Sequence, residues 1–134
     1  MTVIEVAKVI LFDRNQQVLI YLRDNKPSIS YPNYWDLLGG MIEIDESPQT
    51  ALIREVQEEI GVHLEEIDEL GHYISKEGSV FHLFWGKIDA TPDELTLTEG
   101  QQLTSIAIEN RTSYRFPPVL EQALNDFAIS GKIM

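Results

Sequence analysis

The sequence predicts a single domain of the α/β (α+β) class, in which α-helices pack against a mixed β-sheet. Three observations predict it. The expected elements run in the order strands, helix, strands, helix, which is typical of a mixed sheet covered by helices. The 134 residues suit one domain with one hydrophobic core, spanning residues 1–134. No repeat, low-complexity tract or linker divides the chain.

The N-terminal segments predict two strands and a loop. Residues 3–12 are β-branched and apolar with polar interruptions, residues 13–16 form a polar turn, and residues 18–23 are a second apolar run, so we expect a hairpin. Residues 24–34 contain two prolines and several polar turn formers, which predicts an irregular loop. A short apolar piece at residues 35–38 then ends in two glycines, which permit a tight backbone path or close approach to a ligand.

The clearest helix lies between Ser47 and Gly61. Ser47 suits the N-cap, Pro48 suits the first helical position, and Gly61 stands where a helix should end. Apolar residues recur at four-residue steps and form one stripe: Leu52, Val56 and Ile60.

The second half of the chain predicts three strands and a helix. The strands are expected at residues 70–75, 80–88 and 103–108, with a hairpin turn between the first two. Residues 91–100 predict a loop. Residues 117–129 predict a C-terminal helix, because apolar side chains recur on one face.

The composition excludes several classes of protein. The chain has 22 Asp and Glu against 10 Lys and Arg, and the net charge of −12 argues against a nucleic-acid polymer as partner. The absence of cysteine excludes disulfides, thiolate metal sites and a cysteine nucleophile. Residues 1–9 lack a long apolar core, so we expect neither a signal peptide nor a membrane span, and a cytoplasmic location. The acidity fits either simple solubility or carboxylates that hold a divalent cation.

Three acids of the predicted helix share one face. On a helical wheel, Glu58 and Glu59 fall within about 60° of Glu55 on either side. Like charges at these spacings weaken a helix. One interpretation is a solvated acidic face without a ligand. The other is a site for a divalent cation, since hard cations such as Mg²⁺ take oxygen ligands and share them with substrate phosphates.

The context of these acids favours the second interpretation. Residues 40–62 read GMIEIDESPQTALIREVQEEIGV. This segment resembles the signature of the Nudix hydrolase family: Gly, five residues, Glu, seven residues, then Arg-Glu-aliphatic-x-Glu-Glu-x-Gly-aliphatic. Each fixed position is filled, by Gly40, Glu46, Arg54, Glu55, Val56, Glu58, Glu59, Gly61 and Val62. The resemblance implies the Nudix fold, a mixed β-sheet sandwiched between α-helices.

The resemblance also implies a function and a set of roles. It implies hydrolysis of a pyrophosphate bond in a nucleoside di- or triphosphate-type substrate, with Mg²⁺ or Mn²⁺ as cofactor. Glu55, Glu58 and Glu59 would ligate the metal or activate water, and the backbone carbonyl of Gly39 would join the metal shell. The resemblance implies structural roles for Gly40 and Gly61. It also implies that Arg54 and Glu46 form an ion pair that braces the loop against the helix.

Outside the signature the chain resembles the MutT branch of the family. Arg23 matches an arginine that contacts the nucleotide, and Glu99, in Glu99-Gly100-Gln101, matches a loop acid that contributes to metal binding or catalysis. The chain departs from the branch in two ways. Leu38 replaces the proline before the double glycine. Val119 and Leu120 follow Pro117-Pro118 where the branch has the asparagine that reads an oxidised base, which disfavours recognition of 8-oxoguanine.

Other functions remain open from the sequence. Within the same chemistry, the chain fits a hydrolase of nucleotide sugars or dinucleoside polyphosphates. From a different class, it fits a non-catalytic Nudix module that senses a nucleotide or binds a partner protein, although such a module need not retain all three helix acids. Five aromatic residues could stack on a base but are more simply explained as core: Trp35, Phe81, Phe84, Trp85 and Phe116. The sequence does not reveal the base, the sugar or the oligomeric state.

Overall fold

A computed structural model describes residues 3–131 of the chain. The strands are β1 Glu5–Phe12, β2 Val18–Leu22, β3 Trp35–Asp36, β4 Leu38–Met41, β5 Ile67–Ile74, β6 Val80–Lys87 and β7 Gln102–Ile106. The helices are α1 Pro48–Ile60 and α2 Pro118–Ser130, with short 3₁₀ helices at Pro92–Glu94 and Ile108–Ser113. Within residues 3–131, no helix is long and apolar enough to cross a membrane.

The strands form one mixed sheet, as the sequence predicts. Its order is β3-β2-β1-β6-β5, with β4 paired to β1 and β7 paired to β2. The pair β1–β6 is parallel, and the other pairs are antiparallel. The expected β1–β2 hairpin forms only at its turn, where Phe12 pairs with Val18. Most of β1 instead pairs with β4 and β6, because a strand that is apolar on both faces is suited to the sheet centre.

Two hydrophobic cores lie on opposite faces of the sheet. Side chains of β1 alternate between them, since successive residues of a strand point to opposite faces. Ala7, Val9 and Leu11 pack with α1, whereas Ile10 and Phe12 pack with α2. The helices therefore cover both faces of the sheet, which is the sandwich arrangement expected from the sequence.

Strand β5 begins three residues earlier than predicted, at Ile67. The acidic residues Asp68 and Glu69 are therefore part of a strand, with exposed side chains. The pattern obscured this start because β5 lies at the edge of the sheet, where exposed polar side chains are tolerated.

The double glycine lies within β4 and pairs with β1. Gly39 and Gly40 are opposite Lys8 and Ala7, respectively. Gly39 has a φ of +124°, and a Cβ there would overlap the backbone carbonyl oxygen of Ala7. Only glycine fits this position, and the resulting backbone path carries the chain from the sheet toward α1.

Helix α1 begins and ends where the sequence predicts. The Ser47 side chain accepts a hydrogen bond from the Thr50 N–H, and Pro48 is the first helical residue. Gly61 has a φ of +73° and donates its N–H to the carbonyl of Gln57. A side chain at residue 61 would meet open space, so only its backbone conformation demands glycine.

We expect Gly61→Ala to lower the free energy of unfolding by about 1 kcal/mol, because alanine is strained in the left-handed region. Gly61→Asn should cost less, since asparagine tolerates this conformation better. Urea unfolding of both variants measures the difference. Equal stability of Gly61→Ala and wild type would show that helix α1 ends differently in solution.

Candidate active site

The three acids of α1 differ sharply in exposure. The side chain of Glu58 is 60% exposed and that of Glu55 is 19% exposed. Glu59 is 2% exposed. The shared face predicted from the wheel thus runs from solvent at Glu58 into the protein at Glu59.

Glu59 is an uncommonly buried carboxylate. Its Oε1 accepts a hydrogen bond of 2.8 Å from the Gly39 N–H, whereas Oε2 is buried without a hydrogen-bond partner among residues 3–131. Burial raises the pKa of Glu59 to about 8, against the opposing effects of Lys8 and the Gly39 N–H. A buried oxygen without a partner is costly, and a hard cation would satisfy it.

Glu55 lies against Gly40 of β4. A Cβ at residue 40 would overlap the Glu55 carboxylate, so Gly40 leaves the space that this side chain occupies. Burial raises the pKa of Glu55, opposed by the nearby guanidinium of Arg54, whose Nη1 lies 3.2 Å from Glu55 Oε1. A second contact of 3.3 Å joins Nη1 to Glu58 Oε1.

Arg54 joins the loop before α1 to the helix. Its Nε and Nη2 lie 2.7 and 2.9 Å from the two carboxylate oxygens of Glu46, so the ion pair expected from the sequence forms as a two-pronged contact. Nη2 also donates to the carbonyl of Met41 at 3.1 Å. The hydrogen bonds from Arg54 hold the pKa of Glu46 at about 2.

Glu99 lies on a loop that is attached on both sides. Before it, Thr98 donates its N–H to the Glu59 carbonyl at 3.0 Å and its hydroxyl to the Glu58 carbonyl at 2.8 Å. After it, the Gln101 N–H donates to the carbonyl of Leu22 at 2.8 Å. Glu99 is exposed between these anchors, and its charge contributes to raising the pKa of both Glu55 and Glu59.

Arg23 uses its donors within the protein. Its Nη1 lies 2.7 Å from Asp36 Oδ2, and its Nε and Nη2 donate to the carbonyl of Ser30 at 3.1 and 2.8 Å. Arg23 thereby ties the 24–34 loop to the sheet. Its contact with a nucleotide stays a prediction.

A buried charged pair that the sequence patterns did not indicate lies beside Gly39. Lys8 Nζ lies 3.2 Å from Asp36 Oδ1 and donates to the carbonyls of Leu37 and Gly39 at 3.1 and 3.2 Å. The available signal was a lysine inside an apolar strand, since a lysine at such a position needs buried partners.

Several oxygens assigned to a metal therefore already contact protein cations. Lys8 holds the Gly39 carbonyl, and Arg54 contacts Glu55 and Glu58. Within residues 3–131, no three acidic or histidine side chains are grouped closely enough to hold a metal ion.

The aromatic residues are mainly structural. Phe84 lies in the core beside α1, and Phe116 lies in the core beside α2. Trp35, Phe81 and Trp85 are partly buried against the α2 core. A cleft of about 510 Å³ lies elsewhere, past the end of α1, and none of the site acids lines it.

The protein-family model of the NUDIX domain matches residues 3–112 of this chain. The chain belongs to the Nudix family. A putative 8-oxo-dGTP diphosphatase from Bacillus subtilis is 30% identical over 122 residues, which cover 90% of this chain and 77% of that protein. CTP pyrophosphohydrolase from Escherichia coli is 28% identical over 123 residues, covering 88% and 86%, respectively. A MutT-like protein from Streptomyces ambofaciens and an 8-oxo-dGTP diphosphatase from Proteus vulgaris match over 67 and 72 residues, and the chain spans only 38% and 62% of their lengths.

The fold comparison agrees with this membership. A solved chain from a study of MutT from Aliivibrio salmonicida and Vibrio cholerae is 25% identical, with a TM-score of 0.74. The match covers 94% of this Nudix chain and 96% of that one. The Nudix fold expected from the sequence is confirmed.

The burial of Glu59 in the Nudix helix predicts a stability that depends on pH. Its folded pKa of about 8 lies above the ordinary value of 4.5, so between these values the folded state retains a proton that the unfolded state has lost. The native state then binds more protons, and the stability of chelator-treated protein should fall as pH rises through this window. We expect Glu59→Gln to flatten the slope by up to about 1 kcal/mol per pH unit.

Urea unfolding of wild type and Glu59→Gln between pH 5 and pH 8 measures this slope. Glu69→Gln, which alters an exposed acid on edge strand β5, is the matched control and should keep the wild-type slope. Parallel profiles for wild type and Glu59→Gln would mean that Glu59 is not buried as described.

Proposed function

We propose that this chain is a metal-dependent Nudix pyrophosphohydrolase that cleaves a phosphoanhydride bond in a nucleoside di- or triphosphate-type substrate. One observation carries the proposal: a buried carboxylate oxygen of Glu59 without a partner, next to Gly39 and close to the other acids. The names of two relatives, an 8-oxo-dGTP diphosphatase and a CTP pyrophosphohydrolase, support this class of reaction.

The donors fit Mg²⁺ or Mn²⁺, because carboxylate and carbonyl oxygens are the ligands that these hard cations prefer. The ion would be held by Glu55, Glu58, Glu59 and Glu99 together with the Gly39 carbonyl. When bound, it supplies charge that neutralises phosphate oxygens and lowers the pKa of the attacking water.

The protein residues then have distinct tasks. Glu55 is our candidate for the base that takes a proton from the attacking water, because burial raises its pKa above the ordinary value and makes it a stronger base. The water oxygen bonds to phosphorus as the bridging P–O bond breaks, so no covalent intermediate is needed. Arg54 braces the loop and the helix through Glu46, and Gly40 keeps room for the Glu55 carboxylate.

The choice of base in the substrate is a separate matter. Leu120 is 1% exposed in the core beside α2, so its side chain is unavailable to a nucleobase. Val119, which packs against the same core, has no hydrogen-bonding group. We therefore do not propose selectivity for 8-oxoguanine. Nucleotide sugars and dinucleoside polyphosphates belong in the same substrate screen.

The first test is hydrolysis of a panel of nucleoside triphosphates, nucleotide sugars and dinucleoside polyphosphates with and without Mg²⁺. We expect chelator to abolish turnover. Glu58→Gln should lower kcat by at least a hundredfold while the fold survives, because the change keeps shape and removes one charge. Glu69→Gln, an exposed acid on β5, is the control. Full turnover in metal-free protein would overturn the proposal, and binding without turnover would favour a sensing module.

The second test concerns Glu99, whose loop is anchored at Thr98 and Gln101. We expect Glu99→Gln to leave metal binding to the nucleotide-free protein nearly unchanged, because the helix acids remain. Its kcat should fall at least tenfold, or about 1.4 kcal/mol, because Glu99 completes the site only around the substrate's phosphates. Calorimetric metal titration and steady-state kinetics at saturating Mg²⁺ measure the two effects. An unaltered kcat would mean that Glu99 is an ordinary acid in a solvated turn and takes no part in catalysis.

A further inference from the structure

Lys8 places a buried positive charge beside the acids, and the proposed hydrolysis does not use it. Its side chain is 7% exposed. An ammonium group has three donors, and three oxygens lie within 3.2 Å of Nζ: Leu37 O, Gly39 O and Asp36 Oδ1. No donor is left for a substrate phosphate, so Lys8 is not a substrate-binding residue as it stands.

Asp36 does not neutralise Lys8 alone. Its Oδ2 accepts a hydrogen bond from the Tyr21 hydroxyl at 3.1 Å and pairs with Arg23 Nη1 at 2.7 Å. One carboxylate therefore serves two cations, and the group of Lys8, Asp36 and Arg23 carries a net charge of +1. This charge acts on the site, since Lys8 opposes the rise in the pKa of Glu59.

We propose that Lys8 is a resident cation that lowers the affinity of the nucleotide-free site for a divalent metal, by holding the Gly39 carbonyl and by its charge. The inference rests on the proposed metal-dependent function. A fixed positive charge that shares an oxygen ligand with a metal ion opposes the binding of that ion. The repulsion is strong here because Lys8 is shielded from water. The phosphates of a substrate offset that charge, so the site binds its metal strongly only together with the nucleotide.

A purely structural Lys8 makes the opposite prediction. If the ammonium only orients the Gly39 carbonyl, its loss disorders a metal ligand and weakens metal binding. If its charge opposes the metal, its loss strengthens metal binding. The sign of the change therefore separates the two roles.

The experiment is calorimetric titration of Mn²⁺ into the chelator-treated, nucleotide-free 134-residue chain. Lys8→Met and Lys8→Gln both remove the charge, and glutamine keeps a donor for the carbonyls, which protects the fold. We expect the Kd for Mn²⁺ to fall at least tenfold in both variants. Tyr21→Phe is the matched control, because it removes a hydrogen bond to Asp36 and leaves the charge of Lys8 in place. Its Kd should stay within twofold of wild type.

Thermal unfolding of each variant accompanies the titrations and shows which proteins are folded. Unchanged or weaker Mn²⁺ binding in a folded charge-neutral variant overturns the inference, even when wild type hydrolyses its substrate with metal. Hydrolysis and metal binding that are both absent from wild type would overturn the proposed function and the inference together.

Discussion

The close approach of β4 to β1 and α1, at a glycine without room for a side chain, is the constraint on which the site depends. At Gly39 the backbone N–H meets Glu59 of α1, and the carbonyl meets Lys8 of β1. A Cβ would collide with β1, which would displace β4 and separate both contacts. The position of the helix acids relative to the sheet therefore depends on residue 39 having no side chain.

This arrangement brings together carboxyl groups that range from exposed Glu58 to buried Glu59, and two cations of different kinds lie beside them. Arg54 lies at the partly exposed end and uses its planar fork to bind Glu46 in a two-pronged contact. Lys8 lies at the buried end as a compact charge surrounded by three oxygens. Losing Arg54 would leave Glu46 without its cation. Losing Lys8 would leave Asp36 paired with Arg23 but would take a donor away from the carbonyls of Leu37 and Gly39.

The proposed site combines segments that are distant in sequence. Strands β1 and β4 supply the backbone and the buried cation, α1 supplies three acids, and the loop before β7 supplies Glu99. Thr98 attaches that loop to the carbonyls at the end of α1, and Gln101 attaches it to β2. Because these bonds involve the backbone of α1 and β2, the position of Glu99 follows from the packing of the helix against the sheet.

The sequence by itself determined the fold class, the limits of α1 and the family, because these depend on local patterns. Helix periodicity, the Ser47 cap and the Gly61 stop are encoded within a few residues, and the spacing of the Nudix signature identifies the family. Only the tertiary structure decided that Glu59 is buried and Glu58 is exposed, since a helical wheel gives direction and not depth. It also decided that Lys8 and Asp36 pair across 28 residues and that Thr98 reaches α1. Such contacts depend on how strands are ordered in the sheet, and strand order is set by the summed burial of both faces rather than by any local run of residues.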